Sequence, residues 1–248
     1  MYDYLCYSVA RHSITMRSQL EKIMLERKIE VARNELRQIA AEYGADNISV
    51  AWTGGKDSTV TLHIWKDILA EMGVERVTAL NIDTGCKFPE VLDQRDTLAQ
   101  DWGIDLTIVR PEVDMSQYPV AQNKVTCCAD LKVEPLSRGV KQQDIEVLLT
   151  GIRKDEHPDR DRPMREQRDR PNCLMMHPVL DFSEMDIWAY TMQHNLPYCP
   201  LYDSGYRSLG CVPCTKPCGG FGSETGERAG RAGEKEAKMD MLRSLGYF

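Results

Sequence analysis

The stretch TGGKDS at residues 53–58 combines two glycines, a lysine, a carboxylate and two hydroxyl groups directly after a short apolar run. Glycine has no side chain, so the backbone of this stretch can come close to a bound group. The residues that follow have helical periodicity, and the start of a helix offers unpaired N–H groups and a partial positive charge to an anion. Lys56 adds a full positive charge, and Thr53 and Ser58 add hydroxyl donors. We therefore predict that this turn binds phosphate.

Asp57 is unusual in an anion site, because a carboxylate repels phosphate. Two explanations stay open: the carboxylate holds a magnesium ion that accompanies the phosphates, or it orders the turn. A plain turn with a capping serine is the simpler structural alternative. The crowding of anion-binding groups into six residues disfavours that alternative.

Four of the nine cysteines form two close pairs. Cys127 and Cys128 are adjacent in TCCADLKVEPL, and Cys211 and Cys214 form a C-x-x-C pair in LGCVPCTKPC. Four thiolates can hold a zinc ion or a 4Fe–4S cluster. A chain of 248 residues can bury a real core without disulfides, so paired cysteines indicate metal ligands or redox thiols in a reducing cytoplasm. Adjacent cysteines are awkward in a tetrahedral zinc site, which favours the cluster.

The elements that must position these residues alternate along the chain. Apolar patterns predict strands at 48–52, 77–83, 105–111 and 145–152. They predict helices at about 18–43, 89–102, 131–142 and 183–195, and one that follows the glycine turn and ends at 72. This order predicts an α/β fold with a doubly wound parallel sheet, an N-terminal helix and a small Cys-rich C-terminal region. In such sheets ligands bind at the carboxyl ends of the strands, where the phosphate turn is expected.

The run RKDEHPDRDRPMREQRDRP at residues 153–171 has almost no apolar side chains. Its composition predicts an exposed, mobile loop. Two interpretations stay open, a solvated charged loop and an arginine-rich lid over a bound anion, because the run directly follows a predicted strand.

Composition excludes several classes of protein. Hydrophobic residues make up 42% and charged residues 28%, as in ordinary globular proteins. No apolar run approaches the roughly 20 residues of a membrane helix, and the N-terminus lacks the pattern of a signal peptide. We therefore expect a cytoplasmic protein without membrane contact. The net charge of −7 disfavours general nucleic-acid binding, although a local basic face stays open.

Three motifs carry a family resemblance. TGGKDS resembles the SGGKDS pyrophosphate loop of the adenine nucleotide α-hydrolase superfamily, with threonine in place of the first serine. IDTGCKFPE and GIRKDE resemble the IDTG-x-x-F-x-E and G-x-R-x-x-E segments of the phosphoadenylylsulfate reductase branch, and the chain is identified as a member of that family. The resemblance implies catalytic roles for Lys56, Asp57 and Arg153. It implies an adenine nucleotide site at Thr53, Gly54, Gly55, Lys56, Asp57, Ser58, Asp83, Thr84, Gly85 and Arg153.

The cysteine pattern resembles the cluster-binding pattern of bacterial adenylylsulfate reductases, which implies a 4Fe–4S cluster on Cys127, Cys128, Cys211 and Cys214. ERAGR at residues 227–231 resembles their ER-x-GR segment. One departure is clear: these reductases have a catalytic cysteine in a short C-terminal motif, whereas no cysteine follows Cys218 here. The ending GYF resembles that of the small subunit of sulfate adenylyltransferase.

The intact phosphate turn and the missing C-terminal cysteine both favour ATP as substrate. We predict an ATP pyrophosphatase that uses ATP with Mg²⁺, releases AMP and pyrophosphate, and adenylates an acceptor in sulfur transfer of the DNA phosphorothioation or thiolation type. Three alternatives stay open. They are a sulfonucleotide reductase whose nucleophile is Cys218 or Cys86, a protein like the small subunit of sulfate adenylyltransferase, and a non-enzymatic subunit that senses nucleotide.

The expected partners follow from this prediction. A cysteine desulfurase or other sulfur donor would supply sulfur, and a nucleic-acid acceptor would be reached through a partner protein. The aromatic start MYDYLCY is predicted to pack, and a homodimer is expected. The predicted domains are an N-terminal helical segment at 1–45, a nucleotide-binding domain at 46–200, and a C-terminal region at 201–248 that completes the iron–sulfur site.

Overall fold

A computed structural model of the chain describes residues 2–220 and 224–247, with side chains from residue 19 onward. Six strands form one sheet in the order β3-β2-β1-β4-β6-β5, and every neighbouring pair is parallel except β5 with β6. The strands are β1 Ile48–Ala51, β2 Val77–Ile82, β3 Ile104–Val109, β4 Val147–Leu149, β5 Arg165–Asp169 and β6 Asn172–Met176.

Helices cover both faces of the sheet. They are α1 Tyr2–Tyr43, α2 Lys56–Glu71, α3 Pro89–Asp101, α4 Lys124–Cys128, α5 Glu134–Gln142, α6 Glu184–Gln193, α7 Gly233–Glu236 and α8 Met239–Ser244. Leu36 of α1, Trp65 of α2 and Ile187 of α6 share one core on the first face. Leu136 and Val140 of α5 pack on the opposite face. Because apolar side chains leave water on both faces, the central strands are wholly buried.

The sheet reverses its winding between β1 and β4, since β2 and β3 extend one way from β1 while β4 and β6 extend the other. At such a reversal the connections leave a crevice outside the carboxyl ends of the two central strands. The glycine turn follows β1 and residues 150–153 follow β4, so both border this crevice. The predicted α/β fold with a doubly wound parallel sheet is therefore confirmed, and the sheet has one antiparallel edge strand, β5.

Two helices begin earlier than their sequence patterns predict. Helix α1 extends back to Tyr2 instead of Ser18. The helix predicted from Leu131 begins at Lys124, and a π-helical turn at Ala129–Val133 joins α4 to α5. The Asn123 side chain accepts hydrogen bonds from two N–H groups of α4 and so starts the helix there.

The charged segment 153–171 is not an exposed loop, and that prediction is wrong. Two short 3₁₀ turns, Lys154–Glu156 and Pro158–Arg160, lead into β5, which pairs with β6. Glu156 and Glu166 face the guanidinium groups of this segment, so the charges pair with one another inside the fold. Four arginines are buried as a result: Arg153, Arg160, Arg162 and Arg168.

Helix α6 begins as predicted. The Ser183 side chain accepts from the Asp186 N–H, and the Asp186 side chain accepts from the Ser183 N–H, which forms a capping box. No helix among residues 2–220 and 224–247 is long and apolar enough to cross a membrane.

The predicted domain division and the homodimer stay predictions. The packing predicted for MYDYLCY lies outside the residues whose side chains the structure describes. Farther along α1, Leu20 and Ile23 are exposed.

Gly151 marks the closest approach between β4 and the glycine turn. A Cβ atom on Gly151 would lie 2.5 Å from the Ser58 backbone nitrogen, and this backbone cannot give way without moving α2. We expect Gly151→Ala to lower the free energy of unfolding by about 3 kcal/mol, as overpacking does. Urea unfolding measures it. Gly233→Ala is the matched control, because its Cβ would meet nothing within 4 Å. Equal stability of both variants would contradict this close packing.

Candidate functional site

A cavity of about 190 Å³, called the main cavity below, lies at the carboxyl ends of β1, β2 and β4. One wall is apolar and includes Leu80, Ile82 and Leu136. The other walls carry polar and charged side chains: Thr53, Asp57, Ser58, Thr84, Lys87, Lys132, Glu156, Arg160, Tyr202, Ser208, Cys211, Arg228, Arg231 and Tyr247. An apolar wall opposite converging charges fits a small ligand with a flat ring and an anionic group.

The glycine turn joins β1 to α2 in a tight conformation. Gly54 has a φ of 82°, which only glycine adopts easily, and its position faces the Val91 carbonyl of α3. The Gly55 N–H donates to the Thr53 hydroxyl at 3.2 Å, and the Lys56 N–H donates to the Tyr202 hydroxyl at 3.0 Å. Two of the N–H groups expected to hold phosphate are therefore already bonded within the protein.

The two predicted catalytic cations, Lys56 and Arg153, lie behind the wall of the main cavity in an ion-pair cluster. Lys56 Nζ lies 3.1 Å from Asp57 Oδ2 and 2.5 Å from Glu227 Oε1. Arg153 Nε donates to Asp57 Oδ1 at 2.7 Å, and its Nη2 donates to Glu227 Oε2. These contacts fit the role of ordering the turn, and the magnesium role also stays open, because Asp57, Glu156 and Glu227 each bring a carboxylate oxygen within 4.8 Å of the others.

Burial and charge pairing determine the protonation of this cluster. Burial acts to lower the pKa of Lys56, but Asp57 and Glu227 outweigh it and raise that pKa. The pKa of Asp57 falls to about 2, because Lys56 and Arg153 overcome the effect of burial. Burial raises the pKa of Glu227 to about 7, and Asp57 adds to that rise against the attraction of Lys56 and Arg153. Lys56 and Arg153 thus stay charged, and each forms ion pairs with both Asp57 and Glu227.

The predicted nucleotide residues after β2 have separate positions. Thr84 lines the main cavity, and its hydroxyl lies 3.4 Å from Cys211 Sγ. Asp83 accepts from the Gly85 N–H and from Arg110 Nε, so its carboxylate orders the loop. Gly85 has a φ of 70° and faces Met115. The structure thus brings Thr53, Gly55, Asp57, Ser58 and Thr84 into the cavity wall. The other five predicted residues lie behind that wall: Gly54, Lys56, Asp83, Gly85 and Arg153.

Three cations at the cysteine end of the main cavity form what we call the basic corner: Lys87, Lys132 and Arg231. Burial lowers the pKa of Lys87 to about 8, and Lys132 adds to that effect. Burial also lowers the pKa of Arg231, and the positive charge of Arg228 lowers it further. The buried Nε of Arg231 has no hydrogen-bond partner. The hydrogen bonds of Lys87 and Arg231 go to neutral groups, so the basic corner is suited to binding an anion.

Sequence reasoning missed the basic corner as a unit. Lys87 lies inside the quoted segment IDTGCKFPE and Lys132 inside TCCADLKVEPL, but nothing local marks either lysine. Arg231 belongs to the ERAGR segment, which was the available signal. Their convergence depends on the chain returning to the sheet after α6.

A second, smaller cavity of about 20 Å³ adjoins the first and is called the cysteine cavity here. Five thiols line it: Cys86, Cys127, Cys128, Cys211 and Cys214. Lys132 and Cys211 line both cavities. The structure therefore brings the four predicted metal ligands together and adds Cys86, which the sequence did not include among them.

Backbone hydrogen bonds hold the cysteine cavity in place. The Val212 N–H donates to the Cys86 carbonyl at 2.8 Å, and the Ala232 N–H donates to the Cys214 carbonyl at 3.1 Å. Burial raises the pKa of the Cys86 and Cys127 thiols. Burial acts to raise the pKa of Cys211 as well, but Lys132 and the Thr84 hydroxyl outweigh it and lower that pKa.

Comparisons with known proteins give consistent matches. The phosphoadenosine phosphosulfate reductase domain matches residues 47–217. The adenosine 5′-phosphosulfate reductase of Rhodococcus opacus is 33% identical over 165 residues, covering 63% of this chain and 66% of that protein. The phosphoadenosine 5′-phosphosulfate reductase of Gloeobacter violaceus is 31% identical over 183 residues, covering 69% and 73%.

A solved structure agrees in fold. The phosphoadenylyl-sulfate reductase of Candida auris, in a phosphate complex, superposes with a TM-score of 0.63 at 22% identity. The match covers 78% of this chain and 94% of that one. At this identity the likeness establishes a shared fold.

Proposed function

The chain belongs to the phosphoadenosine phosphosulfate reductase family, and on that basis we propose that it reduces a sulfonucleotide. The substrate would be adenosine 5′-phosphosulfate or its 3′-phosphorylated form, and the products sulfite and the corresponding adenosine phosphate. The observation that carries the proposal is the basic corner, a group of three cations next to the cysteine cavity that could bind an anion. A sulfonate bound there would lie beside thiols, as its reduction requires.

The predicted ATP pyrophosphatase in sulfur transfer is wrong. The matching relatives are adenosine and phosphoadenosine phosphosulfate reductases, which favours the reductase alternative. The intact sequence of the glycine turn had favoured ATP. That inference failed because it assumed free cations, whereas Lys56 and Arg153 are neutralised by neighbouring carboxylates.

A 4Fe–4S cluster held by Cys127, Cys128, Cys211 and Cys214 is part of the proposal. The donor set fits, because thiolates are the ligands of such clusters. A tetrahedral zinc site with Zn–S bonds of about 2.3 Å would need sulfur atoms roughly 3.8 Å apart. In the described part of the chain, no three of these thiols lie within 4.8 Å of one another, which supports the larger group. Bound there, a cluster would supply charge and redox capacity beside the basic corner.

Reduction needs a nucleophilic thiol. Its sulfur attacks the sulfur of the sulfonate, the S–O bond to the phosphate breaks, and the adenosine phosphate leaves with the bonding electrons. An external dithiol then attacks the cysteine sulfur of the enzyme thiosulfonate and releases sulfite. The second thiol of the reductant closes its own disulfide, which restores the enzyme thiol.

The proposal is tested by incubating anaerobically purified protein with adenosine 5′-phosphosulfate and reduced thioredoxin, and separately with ATP and Mg²⁺. We expect sulfite and AMP from the first mixture. Pyrophosphate from ATP, with no sulfite from either sulfonucleotide, would overturn the proposal.

Arg231→Gln tests the basic corner. We expect this variant to lower kcat/KM for the sulfonucleotide about 100-fold, because one preorganised charged donor is lost. The variant should not lose stability without ligand, since it removes a buried charge that lacks a full set of partners. Arg33→Gln is the control, because Arg33 pairs with Asp67 and Glu71 on the α1–α2 surface. A normal kcat/KM for Arg231→Gln would remove Arg231 from the site.

A further inference from the structure

Glu227 occupies the place where the glycine turn would hold an anion. Its two carboxylate oxygens are divided between the two buried cations, Oε1 on Lys56 and Oε2 on Arg153. The side chains of Lys56 and Arg153 are 1% and 0% exposed, and that of Glu227 is 6% exposed. A bridging carboxylate between a lysine and an arginine makes the same contacts that a phosphate group would make.

Two further donors of the turn are also occupied. The Thr53 N–H donates to the Ser58 hydroxyl at 3.2 Å, and the Ser58 hydroxyl donates to the Gly55 carbonyl at 3.0 Å. Lys56 makes a third contact, to the Arg207 carbonyl at 3.1 Å. The turn has the composition of a phosphate site but presents few open donors to the main cavity.

The two ends of the site differ in charge: carboxylates are in excess at the glycine turn, and cations are in excess at the basic corner. At the glycine turn, Asp57, Asp155 and Glu227 face the two cations Lys56 and Arg153, so the acids outnumber the bases. At the other end, no carboxylate of the described residues lies within 4.0 Å of the charged groups of the basic corner. A nucleotide with one terminal anion at the basic corner therefore suits the site, whereas a polyphosphate that reaches the glycine turn meets a carboxylate.

We propose that Glu227 is a specificity-determining residue, whose carboxylate acts as a built-in anion that closes the glycine turn to pyrophosphate and so to ATP. The nucleotide preference rests on the proposed function, but the exclusion of pyrophosphate does not. The same segment anchors the cysteines, since the Lys216 N–H donates to the Gly230 carbonyl at 2.9 Å. The ion pairs of Glu227 with Lys56 and Arg153 therefore also hold in place the turn that carries Cys211 and Cys214.

Titration calorimetry with inorganic pyrophosphate tests the exclusion directly. At about pH 8 Glu227 is ionised, since its pKa is about 7. We expect Glu227→Gln to bind pyrophosphate at least about tenfold more tightly than the wild type, because two charge-assisted contacts become available. Glu184→Gln is the matched control: it neutralises another buried carboxylate, paired with Arg207, and should leave pyrophosphate affinity unchanged. An equal affinity in Glu227→Gln and the wild type would overturn the proposal.

The wild type gives a second test that does not depend on folding of the variant. It should bind adenosine 5′-phosphosulfate at least about tenfold more tightly than ATP, measured without Mg²⁺, for the same electrostatic reason. Tighter binding of ATP would overturn the role of Glu227. If the wild type binds neither nucleotide but Glu227→Gln gains pyrophosphate affinity, the proposed function fails while the inference about Glu227 stands.

Discussion

Replacing Cys86 with serine is expected to reduce sulfite release from adenosine 5′-phosphosulfate by at least about 1000-fold, because loss of a nucleophile leaves only binding to assist the reaction. The expectation follows from the proposed reduction and from the position of this thiol. Cys86 lies in the cysteine cavity, which shares Lys132 and Cys211 with the main cavity. A sulfonate at the basic corner would therefore have Cys86 as its neighbour outside the four predicted cluster ligands.

Cys218 is the matched control, since it was the other candidate nucleophile. Its Sγ lies 3.9 Å from the Glu227 carbonyl, on the side of the glycine turn. Cys218 is not among the described residues that line either cavity. Cys218→Ser should keep most of the activity.

The enzyme intermediate gives a readout besides rate. Without reductant, the wild type should retain a thiosulfonate on the peptide that contains Cys86, detectable by mass spectrometry. Cys86→Ser should retain none there. An adduct on Cys218, or full activity of Cys86→Ser, would show that the nucleophile is elsewhere.

Replacing Cys128 with serine is expected to remove the bound iron almost completely. Cys128 is buried at the end of α4 and packs with Met239 and Leu242 of α8, so a ligand at this position is tied to the C-terminal region. Serine oxygen is a poor substitute for a thiolate in iron–sulfur ligation. Iron and acid-labile sulfide, measured on anaerobically purified protein, should fall to background, and the thermal midpoint should fall with them.

Cys173→Ser controls for the loss of a buried thiol. Cys173 lies in β6, is 3% exposed, and belongs to the core beneath α5, away from the cysteine cavity. Burial raises the pKa of its thiol to about 12, as expected for an inert core cysteine. This variant should keep its iron even if its stability falls. Zinc in place of iron in the wild type would contradict the proposed cluster.

Cys86→Ser should also keep its iron, because Cys86 is the fifth thiol and not one of the four proposed ligands. Loss of iron from Cys86→Ser, together with retention in Cys127→Ser, would instead assign Cys86 to the ligand set. In that case, loss of the cluster would explain the loss of activity in Cys86→Ser, and Cys86 would not need to be the nucleophile. Measuring iron and sulfite release on one preparation separates these outcomes.

The sequence by itself determined the α/β frame. The strand patterns at 77–83 and 105–111 and the capping pair Ser183 and Asp186 are local, since neighbouring residues alone fix periodicity and caps. The glycine turn was also recognisable in the sequence, because Gly54 adopts a backbone conformation that few other residues adopt. The paired cysteines at 127–128 and 211–214 were also recognisable, because their spacing is itself the pattern.

Only the tertiary structure decided which charges are free. Residues 153–171 have the composition of a solvated loop, yet four of their six arginines are buried, since charges can compensate one another inside a fold. Glu227 reaches Lys56 across 171 positions of the chain, and no local pattern encodes that pairing. The contact changes how the glycine turn is interpreted. Several of the donors that suggested ATP, Lys56 among them, are bonded within the protein. Arg231 and Lys132 have no carboxylate partner within 4.0 Å among the described residues.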